Sequence, residues 1–160
     1  MLFRSADNED VVRILNNDWF DDGVLLHVAF QLRERESYIS VNRLSVDSCD
    51  LDVAAFVNSH LNYVYHEKYY RRALLNVGGI RSIAVEVGDT SMSVDVEVEP
   101  RNQRAKSHAG VFTRFCNKNI KAGQLLRIGQ ASEEVSTDTV LLEVRMALLD
   151  LAEVSVCDRY

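Results

Sequence analysis

The sequence predicts an α+β domain: a mostly antiparallel sheet of about six or seven strands, with two principal helices packed on one face. Three observations carry that reading. Met92, Val94, Val96 and Val98 alternate strictly with Ser93, Asp95 and Glu97, the period of a half-buried strand. Two stretches, about 51–67 and 138–152, instead repeat their apolar residues at three- and four-residue steps, as helices do. The strand-like segments mostly follow one another through short turns, without the regular strand–helix alternation of a parallel sheet.

The elements follow in order. Leu2–Arg4 starts extended. Val11, Val12, Ile14 and Leu15 are spaced for one side of a short helix, with Asp7 placed to cap it and Glu9 and Asp10 near its positive end. Asp21-Asp22-Gly23 is a turn. Val24–Leu32 is a strand apolar on both faces, and therefore central. The charged run Arg33–Glu36 is a loop or a strand end. Ile39 and Val41 alternate with Ser40 and Asn42 in an extended 38–44 segment. Ser48 or Asp50 caps the first long helix, in which Val53, Phe56, Val57, His60, Leu61 and Val64 make one buried stripe.

Tyr70–Val77 is a strand ended by Gly78-Gly79. Ile83–Val87 and Met92–Val98 form a hairpin across Gly88-Asp89-Thr90-Ser91, with an acidic outer face. Pro100 closes it, 101–108 is a polar loop, Ala109–Phe115 returns as a strand, and Leu125–Ile128 is a short extended piece. Ser136 or Thr137 caps the final helix. Its Leu141, Val144, Leu148 and Leu151 share one side, and Leu142, Met146 and Leu149 widen the arc. Such a helix is buried on more than one side, within the fold or in a homodimer interface.

Composition narrows the class. The chain has 160 residues, 47% apolar and 26% charged, enough for one domain spanning 1–160 with a core of its own. No segment approaches the roughly 18 apolar residues of a membrane helix. Met1–Asp10 lacks the basic-then-apolar pattern of a signal peptide, so a cytoplasmic location is expected. Three cysteines, Cys49, Cys116 and Cys157, are odd in number and widely spaced, unlike a disulfide scaffold or a Cys-x-x-Cys site. The net charge of −6 disfavours non-specific nucleic-acid binding. The charge is uneven, however. Residues 101–132 contain no Asp or Glu and hold Arg101, Arg104, Lys106, Arg114, Lys118, Lys121 and Arg127.

No motif fixes a chemistry. Gly78-Gly79 is too sparse for a phosphate-binding loop. His60 and His66 project to different sides of a helix, and His66-Glu67 lacks a second histidine, so neither a metal site nor a cofactor is expected. His60 and His27 read as satisfied core histidines. Cys116 has the basic neighbours Arg114 and Lys118 that would lower a thiol pKa, and His108 would be its partner; the plainer reading is an inert thiol. Tyr69, Tyr70, Arg71 and Arg72 form an aromatic and basic cluster of a kind that can stack on bases. The 101–127 arginines suit an anionic group, or else pair with Asp95, Glu97 and Glu99 on the hairpin. Ser40 and Asn42 share a strand face and could hold a ligand, with Arg43 at the rim if the His108 loop packs over them; alternatively they bond to nearby backbone.

Asp22-Gly23 with Ala29-Phe30, Ser40-Val41-Asn42-Arg43, and Pro100 followed by His108-Ala109 resemble segments of a group of small uncharacterised bacterial proteins. The resemblance is scattered over residues 2–115. It implies a bacterial, cytoplasmic origin and no catalytic residues.

Two functions remain. One is a non-catalytic binding or accessory module that recognises an anionic group or an acidic protein partner through Arg101, Arg104, Lys106, His108 and Arg114. The other is a small enzyme acting on a nucleotide-like or phosphorylated substrate, with His108 as acid/base and Ser40, Asn42 and Arg43 as positioning groups.

Overall fold

The computed structural model of the chain describes residues 6–32, 36, 38–87, 90–98, 105–117, 126–127 and 137–158. The strands among them are β1 (Asp10–Leu15), β2 (Phe20–Asp21), β3 (Val24–Leu25), β4 (Ile39–Arg43), β5 (Val64–Tyr65), β6 (Tyr69–Asn76), β7 (Ala84–Val87), β8 (Thr90–Val98), β9 (His108–Asn117), β10 (Leu126–Arg127) and β11 (Glu153–Asp158). The α-helices are α1 (Cys49–Ser59), α2 (Val77–Arg81) and α3 (Thr137–Leu151). Nine strands make one sheet in the order β11-β6-β1-β4-β9-β8-β7, with β10 beside β9 and β5 beside β6, while β2 and β3 form a separate hairpin. The described pairings are all antiparallel. The chain is therefore α+β with a mostly antiparallel sheet. Among the described residues no helix is long and apolar enough to cross a membrane.

The segment expected as a short N-terminal helix is strand β1. Val11, Val12, Ile14 and Leu15 are all buried, which one helix face could not achieve with neighbouring residues pointing apart. A strand does achieve it, because alternate side chains enter opposite faces. Val11 and Leu15 join a core with Val140, Val144 and Leu148 of α3. Val12 and Ile14 join a second core with Cys49, Val53 and Val57 of α1. The two principal helices thus pack on opposite faces of the sheet, not on one face. Both are needed because β1 and β6 present apolar residues on both sides.

Val24–Leu32 is not a central strand. It divides into β3 and a 3-10 turn, His27–Phe30. That turn brings the Ala29 carbonyl to Nε of Arg13 at 2.6 Å, while Nη1 of Arg13 donates to the Ser40 carbonyl at 2.8 Å. A buried guanidinium on a central strand needs such acceptors. Helix α1 is shorter than the 51–67 stripe: it stops at Ser59, and a 3-10 turn over Leu61–Tyr63 leads into β5. β6 stops just before Gly78-Gly79, as expected, and the two glycines lie in the short helix α2, whose N-cap Asn76 side chain accepts from the Gly79 amide.

Other elements match the reading. β4 covers 39–43, and β7 pairs with β8 as a hairpin. Met92, Val94 and Val96 are buried on the α3 side. Asp95 and Glu97 occupy the other face, where each has a cationic partner: Arg81 Nε reaches Asp95 at 2.6 Å and Arg114 reaches Glu97 at 2.8 Å. β11 was not expected, although Glu153–Asp158 alternates; it pairs with β6 from Glu153↔Leu74 to Asp158↔Tyr69. The Leu2–Arg4 strand, Pro100 and the Gly88-Asp89 turn lie outside the described residues.

In α3, Val140, Val144 and Leu148 are buried. Leu142 and Met146 are about two-fifths exposed, at 40% and 42%. Leu148→Ala should therefore cost roughly 2–5 kcal/mol of unfolding free energy in a urea titration. Met146→Ala should change it by less than about 0.5 kcal/mol. A Leu148→Ala midpoint equal to wild type would show that α3 does not cover the core.

Candidate functional site

The α1 side of the sheet carries a cleft of about 890 Å³, within the usual range for small-molecule sites. One wall is the sheet surface, with Ile14 of β1, Ser40 and Asn42 of β4, and His108 at the start of β9. The other is α1 and the chain that follows it, with Asp52, Phe56, Ser59, His60, Asn62 and Tyr63. Trp19 and Glu36 also line it.

Strand register builds the sheet wall. β4 pairs with β9 so that Asn42 lies opposite His108 and Ser40 opposite Gly110. Ile39 and Val41 face the α3 core, so Ser40 and Asn42 face the cleft side. His108, the group expected to sit over Ser40 and Asn42, does line the same cleft with them. Its ring meets the edge of Tyr38 at 5.8 Å, and Tyr38 contacts Phe112 at 5.0 Å. Between these rings the chain has glycine, where a Cβ at Gly110 would come within 2.7 Å of both Tyr38 and Phe112.

A hydrogen-bonded clamp joins the two walls. The Asp52 carboxylate accepts from the Ser107 amide at 3.0 Å and from the Ser107 hydroxyl at 2.6 Å. Ser48 Oγ donates to the same carboxylate oxygen at 3.0 Å, and Asn42 Nδ2 donates to Ser107 Oγ at 2.9 Å. Ser107 is fully buried. Burial alone would raise the Asp52 carboxyl, but the bonds from Ser107 and Ser48 outweigh it and hold the pKa below the ordinary 3.8. Asp52 thus fixes the residue immediately before His108. The sequence placed Asp52 in a helix but carried no signal for this contact, which spans 55 positions.

His60 departs from its expected role. It is exposed at the end of α1, not buried in an apolar stripe. Nδ1 lies 2.8 Å from the Phe56 carbonyl oxygen, and the ring stacks on Phe56 at 4.3 Å. The helix stops about two turns earlier than its apolar spacing implied, at Ser59, which brings His60 to the cleft.

Arg43 is engaged away from the cleft lining. Its Nε lies 2.6 Å from Glu9 Oε1 and Nη2 lies 3.2 Å from Oε2, and Ser45 Oγ donates to Oε1 at 2.7 Å. Burial alone would raise the Glu9 carboxyl; the Arg43 and Ser45 bonds, with the Arg43 charge, hold it below the ordinary 4.5. Arg101, Arg104, Lys118 and Lys121 lie outside the described residues. Lys106 is exposed, and Arg114 is paired with Glu97. His108 and Cys116 are opposite ends of one strand, eight residues apart, or on the order of 26 Å. His108 therefore cannot activate that thiol. The Tyr69–Arg72 cluster is divided between faces: Arg71 lies over Phe20 at 3.4 Å and Tyr65 at 4.3 Å, while Tyr70 enters the α1 core. Among the described residues no group of three or more His, Cys, Asp or Glu could hold a metal ion.

No protein family, curated protein or solved structure matches the chain.

Asp52→Ala should lower stability by about 1–3 kcal/mol, since the buried Ser107 amide and hydroxyl lose their acceptor. The pH dependence has a definite sign. A carboxyl depressed by folding stabilises the native state above its unfolded pKa, and that contribution disappears as pH falls through the lower folded value. The gap between wild type and Asp52→Ala should thus be full at neutral pH and shrink only below about pH 4. A gap independent of pH between 7 and 2 would remove the carboxylate from the account.

Proposed function

We propose that the protein binds a small, nucleoside-like molecule in the cleft between α1 and the β1–β4–β9 surface. The observation that carries this reading is the opposition of Asn42 and His108 across a strand pair, in a cleft whose other wall is aromatic. Hydroxyl-bearing ligands need polar groups at defined positions, and Ser40, Asn42 and His108 supply them from a rigid sheet. Planar rings need apolar or π surfaces, and Phe56 and Tyr63 supply these.

The reading of residues 101–127 as an anion-recognition surface has less support, because Arg114 is already paired with Glu97. Within that stretch, exposed Lys106 directly follows cleft-lining Ala105, and it is the described cation that a phosphate on the ligand would meet.

Titration calorimetry with adenosine, cytidine and their 5′-monophosphates tests this. At least one nucleoside should bind wild type. Asn42→Ala, checked for an unchanged fold by circular dichroism, should bind it about tenfold more weakly, the worth of one hydrogen bond. Tighter binding of a monophosphate, lost when Arg101, Arg104 and Lys106 become Ser, would assign the basic stretch to the phosphate. Absence of binding for all four compounds, or equal binding by Asn42→Ala, would reject the cleft as a nucleoside site.

A further inference from the structure

We infer that the cleft is also catalytic, with His60 and His108 as a proton-transfer pair; the inference rests on the reading of the cleft as a ligand site. The two rings come from different walls, His60 from the residue that ends α1 and His108 from the first residue of β9. Two histidines at one ligand site can act on two different atoms of a substrate, one removing a proton while the other supplies one.

The structure determines which nitrogen of His60 is available. Its Nδ1 lies 2.8 Å from the Phe56 carbonyl oxygen. A carbonyl oxygen can only accept, so Nδ1 bears the hydrogen. In the neutral ring Nε2 then holds the lone pair, which is the form a general base requires. The ring's orientation is set as well. It stacks on Phe56 at 4.3 Å with an interplanar angle of 20°, and Tyr63 meets it edge-on at 6.1 Å. Phe56 and Tyr63 both line the cleft.

The step is a hydrolysis. A water O–H bond breaks and its proton bonds to Nε2 of His60. The water oxygen forms a bond to an electrophilic carbon or phosphorus of the ligand. The bond from that centre to the leaving atom breaks, and the leaving atom keeps the electron pair and takes a proton from His108. Solvent then removes the proton from His60 and returns one to His108. The net change is one water added across the broken bond, with no electron transferred to a further partner.

The test uses the full chain with adenosine, cytidine and 2′,3′-cyclic adenosine monophosphate, with products separated by chromatography. Wild type should hydrolyse at least one. His60→Gln and His108→Ala should each slow that reaction by about 10²–10⁴-fold while the same compound still binds. His66→Asn, at an exposed turn residue with φ of 50° and outside the cleft lining, should leave the rate unchanged. Nitrogen-15 spectra of the histidine rings should assign the Nδ1–H form to neutral His60. Three results would overturn the inference. The first is a wild-type rate in His60→Gln. The second is an Nε2–H tautomer at His60. The third is binding without hydrolysis of any of the three compounds, which would leave a binding cleft and remove the catalysis. Failure of all three to bind would instead reject the ligand reading on which the catalysis depends.

Discussion

Strand β1 has no solvent side, and the rest of the molecule is arranged around that constraint. Its apolar residues enter two cores, Val11 and Leu15 towards α3 and Val12 and Ile14 towards α1. A strand buried on both faces must have its backbone groups paired on both edges, since an unpaired buried amide is costly. β6 and β4 supply those partners. Arg13, midway along the strand, meets the same requirement through the Ala29 and Ser40 carbonyls, with its guanidinium over Trp19 at 4.7 Å. One apolar run therefore decides the position of the segment after β3, of β4, and of both large helices.

The cleft follows from the same arrangement. β4 lies beside β1, and β9 lies beside β4. Because side chains alternate along β4, placing Ile39 and Val41 in the α3 core commits Ser40 and Asn42 to the α1 side. The register then sets His108 against Asn42. Asp52 adds the cross-wall attachment, holding a buried Ser107 by two hydrogen bonds. Polar groups at this depth are tolerated because each bond offsets the desolvation of the next, which makes the network sensitive to loss of any member.

The uneven charge of the sequence is partly resolved into local pairs. Glu9 and Arg43 close the edge where β1 meets β4, with Ser45 completing the carboxylate's bonds. Arg81 bridges α2 to the hairpin through Asp95 and also donates to the Val96 carbonyl at 3.2 Å. Arg114, opposite Ser93 in the β8–β9 ladder, reaches diagonally along the adjacent strand to Glu97. The sequence anticipated pairing of the basic stretch with the hairpin carboxylates, as Arg114 with Glu97 shows, but not the Arg43–Glu9 and Arg81–Asp95 pairs, whose partners are 34 and 14 positions apart. The acidic hairpin face is therefore less of an open surface than its alternation suggests.

Periodicity alone determined what depends on local geometry. The β7–β8 hairpin, β4, β6, β9 and the final helix were legible, because a two- or three-to-four-residue repeat of apolar side chains has few other ways to reach a core. The shared face of Ser40 and Asn42 was legible for the same reason. Tertiary structure decided what depends on neighbours. Val11–Leu15 fits a helix by spacing and becomes a strand because helices stand on both sides of it. The 51–67 stripe ends at Ser59, so His60 leaves the core and enters the cleft. Arg43 turns to Glu9, and Asp52 to Ser107, through contacts that no local pattern encodes. Hydrophobic alternation specifies which side of a strand a residue occupies, but only the assembled sheet specifies which distant residue it meets there.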